Sequence, residues 1–138
     1  MKVRFNYADR KLSFTPKAAL KEMVIKIFSK ENTTVETIDY IFCSDEYLLL
    51  INRNALNHDY YTDIITFPLH EKGMPIQAEI YISIDRVQEN ATTHNTLFGQ
   101  EIARVIAHGA LHLCGYRDKS KADITLMREK EVTYIKNI

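Results

Sequence analysis

The stretch LFGQEIARVIAHGALHLCGYRD (97–118) decides the fold, because it predicts the most deeply buried helix of the chain. Apolar residues lie nearly all around its helix axis, which is typical of a helix enclosed by protein. They are Ile102, Val105, Ile106, Ala107, Ala110, Leu111 and Leu113. The predicted helix runs from Leu97 to Cys114, and Gly115 stands where a left-handed cap residue belongs.

Two histidines lie on this helix, four residues apart. Positions i and i+4 are about 40° apart around an α-helix, so His108 and His112 point to the same side. Burying an unpaired polar group costs on the order of 2–7 kcal/mol, and a metal cation would satisfy both imidazoles at once. The alternative is that both are core histidines without a metal, since many helices contain such pairs by chance.

The residues after the helix supply a third candidate ligand. Gly115 allows the chain to reverse, so that Asp118 can return toward the histidines in the pattern H-x-x-x-H-x-x-G-x-x-D. Three protein ligands with one open position are typical of a catalytic zinc site. Imidazole and carboxylate ligands also suit Ni²⁺, Co²⁺ or Fe²⁺. The sequence therefore predicts one metal ion, most simply Zn²⁺, on His108, His112 and Asp118.

Outside this helix, the residue pattern predicts four strands, at 3–7, 34–44, 62–68 and 77–84. A helix is predicted to start at Thr15-Pro16, with an apolar stripe of Ala19, Leu20, Met23, Val24, Ile27 and Phe28. Further helices are predicted from Ser44-Asp45 to about Leu56, as a short helix or loop from Asp85, and from about Ala122 to Ile135. This order predicts an α+β fold: residues 1–138 form a single domain in which about five helices, including a zincin-like metal helix, pack on a mixed four-stranded sheet.

The composition is that of a soluble globular protein, with 138 residues, 46% hydrophobic and 26% charged. No stretch approaches the roughly 18 consecutive apolar residues of a membrane span, and the N-terminal residues have no apolar leader pattern. We therefore expect a cytoplasmic protein without a membrane partner. Cys43 and Cys114 are too few for a disulfide scaffold, and both are predicted to be reduced and buried.

The net charge is zero, but the charges are unevenly placed. Residues 1–43 and 101–138 have an excess of Lys and Arg, whereas residues 44–100 have an excess of Asp and Glu. A uniformly basic nucleic-acid binder is excluded, although a local basic face is not. Four lysines of the first predicted helix form either a solvated face or a contact to backbone phosphates: Lys17, Lys21, Lys26 and Lys30.

Several segments of the chain resemble a known family. HGALHLCGYRD (108–118) resembles H-G-x-L-H-L-x-G-Y-D-H, the signature of the YbeY family of single-strand-specific metallo-endoribonucleases. TDIITFP (62–68) resembles T-D-V-L-S-F-P of that family, AEIYIS (78–83) resembles G-D-I-x-I-S, and Met127 with Glu131 fits its M-x-x-x-E. The resemblance implies a zinc-dependent endoribonuclease that acts on single-stranded RNA. It also implies a role with the ribosome, in maturation of the 3′ end of 16S ribosomal RNA and in ribosome quality control.

The chain departs from the family pattern at two positions. Asp118 stands where the family has its third histidine, and an aspartate can still ligate zinc through oxygen at about 2.0–2.2 Å. Leu56, with His58 nearby, stands where the family usually has an arginine that is thought to contact substrate. The sequence does not decide which arginine replaces it, and four are candidates: Arg53, Arg86, Arg104 and Arg117.

The general base is not identified by the sequence. Gly109 replaces the glutamate that takes the proton in H-E-x-x-H proteases. The candidates for the base are a metal-bound water, the 2′-hydroxyl of the RNA, or a carboxylate such as Asp59 or Asp63. Asp63 could instead hold a loop by hydrogen bonds. Arg117 is a further catalytic candidate. Three tyrosines either stack on unpaired bases or simply cover apolar surface: Tyr60, Tyr61 and Tyr116.

Two other classes of function remain open. A zinc protease shares the ligand spacing, but Gly109 argues against it. A non-catalytic metal-binding factor associated with the ribosome would bind the metal and leave RNA intact. The oligomeric state is left open by the sequence.

Overall fold

The fold is built on one mixed sheet. The structure, a computed structural model, describes residues 1–12 and 16–136. The strands are β1 (Lys2–Tyr7), β2 (Val35–Cys43), β3 (Ile64–Pro68) and β4 (Ile76–Ser83), in the spatial order β1-β2-β4-β3. The first three strands in that order are parallel, and β3 pairs antiparallel with β4 at one edge.

Five helices accompany the sheet in the described part of the chain. They are α1 (Lys17–Lys30), α2 (Asp45–Leu56), α3 (Ile84–Thr93), α4 (Phe98–Leu113) and α5 (Lys121–Ile135). The order of helices and strands is the one predicted from the sequence. The predicted α+β class, with a mixed sheet of four strands and five helices, is therefore confirmed, and the segment from Asp85 belongs to a helix and not to a loop.

The core lies between the sheet and the buried faces of α1 and α4. The apolar stripe of α1 is buried as predicted, apart from the half-buried Ala19 at its edge. Alternate residues of β2 point into the same core, where Tyr40 is fully buried and donates a 2.9 Å hydrogen bond to the carbonyl oxygen of Ile106 in α4. This bond satisfies the buried phenol and fixes α4 against the sheet.

Local signals in the sequence set the helix ends. The Ser44 hydroxyl caps α2 by accepting a 3.1 Å hydrogen bond from the Tyr47 amide, as predicted. Gly115 has φ +105°, the left-handed conformation expected after α4. Pro16 directly precedes α1 instead of occupying its first turn, and the predicted cap Thr15 lies outside the described residues.

The cysteines differ in burial. Cys43 is buried as predicted, whereas Cys114 is half-buried because it lies at the exposed end of α4, and both are free thiols. Burial raises the pKa of Cys43 to about 12 and that of Cys114 to about 11. Among the described helices, none combines the length and the apolar character that crossing a membrane requires.

Candidate active site

A pocket of about 280 Å³ brings the predicted ligands together. It is formed by α2, the α2–β3 segment (residues 57–63), β3, the C-terminal part of α4 and the loop after it. Its lining residues are Asn52, Leu56, His58, Tyr60, Thr62, Ile64, Ile65, Thr66, His108, His112 and Asp118. A larger, mostly apolar groove of about 910 Å³ lies between α1, the start of α4 and the end of α5, and none of the three predicted ligands lines it.

The two histidines of α4 line this pocket side by side. Their rings are nearly parallel, with an interplanar angle of 11° and centroids 6.3 Å apart. The helix itself is buried, but the imidazoles are not: His108 is 20% exposed and His112 is exposed. This exposure does not fit the alternative that both are core histidines, because the pocket brings solvent to this side of the helix.

Asp118 reaches the pocket through the turn at Gly115. The amide of Gly115 donates to the carbonyl oxygen of His112 at 3.0 Å, and the amide of Tyr116 donates to that of Leu111 at 3.1 Å. These bonds close the end of α4 and return the chain toward the histidines. Asp118 Oδ2 lies 3.3 Å from His108 Nε2, so the structure brings the carboxylate to the histidine as predicted.

The three candidate ligand side chains do not converge on a single point in this structure. In the described ranges, no group of three or more His, Cys, Asp and Glu side chains is arranged to hold a metal ion as it stands. Instead, His108 and Asp118 contact each other directly. The types of donor atom, two imidazoles and one carboxylate on a shared pocket wall, nevertheless suit Zn²⁺.

A buried glutamate orients His108. Glu131 of α5 is 1% exposed, and its Oε2 lies 2.7 Å from His108 Nδ1. When a carboxylate accepts a hydrogen bond from Nδ1, the ring proton is held there and the lone pair of Nε2 can bind a metal ion. His108 therefore points Nε2 into the pocket, which is the arrangement that ligand histidines show in zinc sites.

Arg104 balances the charge of this glutamate. Its guanidinium forms two 2.8 Å hydrogen bonds with the buried Glu101 and lies 3.4 Å from Glu131 Oε1. Hydrogen bonding to Glu101 raises the pKa of Arg104, and the charges of Glu101, Glu131 and Asp63 raise it further against the opposing effect of burial. Arg104 is thus a fixed cation that allows Glu131 to remain buried beside the pocket.

Comparison with known proteins assigns the chain to a family. The model of the family described as Endoribonuclease YbeY matches residues 4–138. The chain is 46% identical to the endoribonuclease YbeY of Cytophaga hutchinsonii, with 89% of this chain and 86% of the relative covered. It is 44% identical to that of Flavobacterium johnsoniae, with 94% and 91% covered. The chain belongs to the endoribonuclease YbeY family.

The fold is also found in a solved structure. The solution structure of TM1509 from Thermotoga maritima matches with a TM-score of 0.68 and 29% identity, over 99% of this chain and 87% of that chain. The resemblance to the YbeY family that the sequence motifs indicated is thus confirmed over nearly the whole chain.

The candidate catalytic residues of this YbeY-family chain lie at different distances from the pocket. Asp59 is exposed, forms an ion pair with Arg53 and does not line the pocket. Asp63 does not line the pocket either, and its Oδ2 lies 4.0 Å from Arg104 Nη2. Burial raises the pKa of Asp63, although Arg104 and His108 oppose that shift. Neither carboxylate is placed by the structure as a base within the pocket.

The arginines that could replace the family arginine lie outside this pocket lining. Arg53 pairs with Asp59. Arg86 pairs with Asp45, and its guanidinium carbon lies 5.2 Å from the ring centroid of Tyr61. Arg117 lines a separate groove behind the Gly115 turn. Arg104 holds the buried glutamates, and none of the four candidate arginines lies in the lining beside Leu56.

The three tyrosines have different surroundings. Tyr60 lines the pocket and is exposed, with its ring stacked on that of His58. Tyr61 is exposed beside Arg86, away from the lining. Tyr116 donates a 2.6 Å hydrogen bond to Glu31 and lies under Lys130, so its role is to hold the turn and not to meet a base.

The packing of α4 against the sheet explains why residue 109 is a glycine. A Cβ atom at this position would lie 2.9 Å from Ile64 Cδ1 and 3.3 Å from Ile80 Cδ1. The backbone of α4 therefore packs closely on Ile64 of β3 and Ile80 of β4, and a larger residue at position 109 would have to displace these side chains.

Sequence reasoning missed the roles of three residues. The motif that contains Glu131 does not indicate its contact with His108, and the sequence does not distinguish a substrate contact from an internal ion pair for Arg104. None of the motifs includes Asn52, which is buried and lines the pocket. A charged residue at an apolar position of α5 was the available signal for Glu131, because an isolated buried charge requires a partner.

Proposed function

We propose that this protein is a zinc-dependent endoribonuclease that cleaves single-stranded RNA in the cytoplasm. As its cellular role we propose maturation of the 3′ end of 16S ribosomal RNA and quality control of the ribosome. The observation that carries the endoribonuclease activity is membership of the endoribonuclease YbeY family, since the family model matches residues 4–138. As a member of that family the chain is a hydrolase.

In this proposal His108, His112 and Asp118 hold the zinc ion, and Glu131 orients His108. The meeting of the three donors in one pocket supports this ligand set. A bound zinc ion acts as a Lewis acid toward a phosphoryl oxygen and lowers the pKa of a water molecule to about 7. Because residue 109 is a glycine, the chain lacks the proton acceptor that zinc proteases have at that position.

The other lining residues suit a flexible RNA strand. The hydroxyls of Thr62 and Thr66 are polar groups of the lining, while Leu56, Ile64 and Ile65 keep part of it apolar. Tyr60 is exposed and offers a ring on which an unpaired base can stack, a contact worth about 1–3 kcal/mol. A pocket this small admits a phosphodiester from a single strand, whose backbone can bend into it, more readily than one from a stacked duplex.

The test uses purified full-length protein, its measured zinc content, a labelled unstructured RNA, and casein. His112→Ala removes a proposed ligand, and His94→Ala is a matched control because His94 is exposed and outside the pocket lining. We expect about one zinc ion per chain and RNA cleavage in the wild type and in His94→Ala, with both lost in His112→Ala. Stoichiometric zinc without cleavage would instead indicate a metal-binding factor, and digestion of casein would indicate a protease.

The role of Asp118 is tested by two substitutions. Asp118→Ala removes the carboxylate, so we expect zinc content and RNA cleavage to fall together. Asp118→His supplies an imidazole, which is also a good zinc ligand, so we expect both to be retained. Full zinc binding by Asp118→Ala would remove this residue from the ligand set.

A further inference from the structure

Apart from the proposed zinc ion, the pocket has few groups that can bind the phosphate of its substrate. RNA is an anion, and its phosphates are usually bound by cationic side chains or N–H donors. In the described part of the chain, no lysine or arginine lines the pocket, and Asp118 adds a negative charge. Outside the two proposed ligand histidines, the lining side chain with a ring N–H donor is His58.

The segment that carries His58 is fixed from both sides by a buried asparagine. The carbonyl oxygen of Asn52 accepts a 3.0 Å hydrogen bond from the His58 amide. The Asn52 side chain donates a 2.9 Å hydrogen bond to the carbonyl oxygen of Tyr60. Asn52 is 2% exposed, and Asn57 between them has φ +56°, so the chain turns sharply into the pocket wall. His58 and Tyr60 are therefore held in place before any substrate arrives.

The two side chains also fix each other. The Tyr60 hydroxyl lies 3.0 Å from His58 Nδ1, and the rings are stacked with centroids 5.2 Å apart and an interplanar angle of 21°. When Nδ1 accepts from the hydroxyl, the ring proton is carried by Nε2, which makes Nε2 a donor. Among the described residues, no hydrogen-bond partner of Nε2 is present, and the histidine is exposed.

We propose that His58, positioned by Tyr60, binds a phosphate group of single-stranded RNA through Nε2. This inference rests on the proposed function and adds the residue that contacts the substrate. The neighbouring Leu56 has no polar atom in its side chain and cannot take that role. His58 binds the strand, whereas the metal site acts on it, so the two can be separated by measurement.

The experiment compares four zinc-loaded full-length variants: His58→Ala, His58→Gln, Tyr60→Phe and the control His94→Ala. KM and kcat are measured on an unstructured RNA, and Kd is measured by fluorescence anisotropy on a labelled 2′-O-methyl oligonucleotide. Loss of a hydrogen bond to a charged group predicts KM and Kd about tenfold higher for His58→Ala. Tyr60→Phe retains the ring but loses the hydroxyl that positions His58, so KM and Kd should rise about threefold. His58→Gln retains an N–H donor, so its KM and Kd should lie between those of the wild type and those of His58→Ala.

The zinc content of each variant shows whether a weaker activity comes from weaker RNA binding or from damage to the metal site. We expect all four variants to retain the zinc of the wild type, and a loss of zinc in His58→Ala would overturn the inference. It is also overturned if His58→Ala binds and cleaves RNA as well as His94→Ala does. If the wild type itself does not cleave RNA, the proposed function fails and this inference fails with it. If the wild type cleaves RNA and His58→Ala does so equally well, the inference alone is refuted.

Discussion

Glu131 lies on the buried stripe of α5, between Met127 and Tyr134. A carboxylate at such a position requires partners: His108 lies on one oxygen, and Arg104 at 3.4 Å and Arg128 at 3.8 Å lie on the other. The charge is thereby balanced, and the imidazole is held with Nε2 facing the pocket. This contact joins α5 to the proposed zinc site, although α5 supplies no ligand.

Replacing this glutamate should weaken zinc binding without removing a ligand. Glu131→Gln keeps the size of the side chain but removes the charge that holds the His108 proton. Because outer-sphere partners of ligand histidines typically contribute 10–100-fold in metal affinity, we expect zinc affinity to fall by about that factor. Competition with a chelator measures it. Glu129→Gln, on the exposed face of the same helix, is the control, and equal affinities of the two variants would refute the role of Glu131.

At the scale of one element, α4 is placed by its contact with the sheet. The missing side chain at Gly109 lets the helix backbone approach β3 and β4, with Ile64 and Ile80 as the nearest neighbours. That approach brings His108 and His112 to the wall that β3 forms. Gly99, in the first turn of the same helix, has open space where a Cβ atom would stand.

The two glycines of α4 should therefore respond to alanine in opposite directions. Alanine is favoured over glycine in a helix by about 1 kcal/mol, but overpacking a core costs about 1–3 kcal/mol. We expect Gly109→Ala to lower the free energy of unfolding by about 1 kcal/mol and Gly99→Ala to raise it by up to about 1 kcal/mol. Urea denaturation of both variants provides the measurement. Equal stabilisation by both would show that α4 does not pack as closely as described.

The turn after α4 is tied to two other helices by Glu31, at the end of α1. Its carboxylate accepts hydrogen bonds from Tyr116 in the turn, at 2.6 Å, and from Tyr134 of α5, with Lys130 3.4 Å away. Burial acts to raise the pKa of Glu31, but these hydrogen bonds and the charge of Lys130 together outweigh it, and the pKa is lowered. The ionised form therefore stabilises the fold around the turn that leads to Asp118.

This carboxylate gives stability a predictable pH dependence. Because the folded-state pKa of Glu31 is below its ordinary value of 4.5, its contribution is complete above about pH 4.5 and is lost as the pH falls through the lower, folded-state pKa. We expect Glu31→Gln to be less stable than the wild type by about 1–2 kcal/mol at pH 7 and the difference to shrink below pH 4.5. Urea denaturation across this range, with the exposed Glu22→Gln as control, measures it. A difference that does not change with pH would contradict the assignment.

For the whole molecule, the core does not depend on the proposed metal site. The buried faces of α1, α4 and the sheet are apolar, and His108, His112 and Asp118 lie at the pocket wall outside them. The metal-free chain is therefore expected to fold, unlike small zinc domains in which metal binding supplies the folding free energy.

Zinc should nevertheless raise the thermal stability. A ligand that binds the folded state alone, at about 100 times its Kd, stabilises by about 2.7 kcal/mol, which corresponds to a shift in Tm on the order of 10 °C. Differential scanning calorimetry with and without zinc measures the shift. We expect His94→Ala to match the wild type and His112→Ala to lose the increase. A zinc-induced increase that persists in His112→Ala would place the metal elsewhere.

Much of the fold was predictable because its signals are local. The strand pattern of β2, the apolar stripe of α1 and the start of α2 at Ser44-Asp45 each depend on neighbours in sequence, and each element is found where it was predicted. The candidate site was less predictable. His108, His112 and Asp118 were proposed from spacing along one helix and its turn, but their exposure depends on the pocket that other elements form around them.

The sequence by itself determined the order of the helices and strands, the shared side of the two histidines and the turn at Gly115, because short-range periodicity and backbone conformation encode them. The tertiary structure alone decided that Glu131 and Arg104 meet His108, that Gly109 lies against β3 and β4, and that His58 enters the same pocket as the histidines. These contacts join residues from different elements, and packing of the whole core, not any local pattern, determines which of them come together.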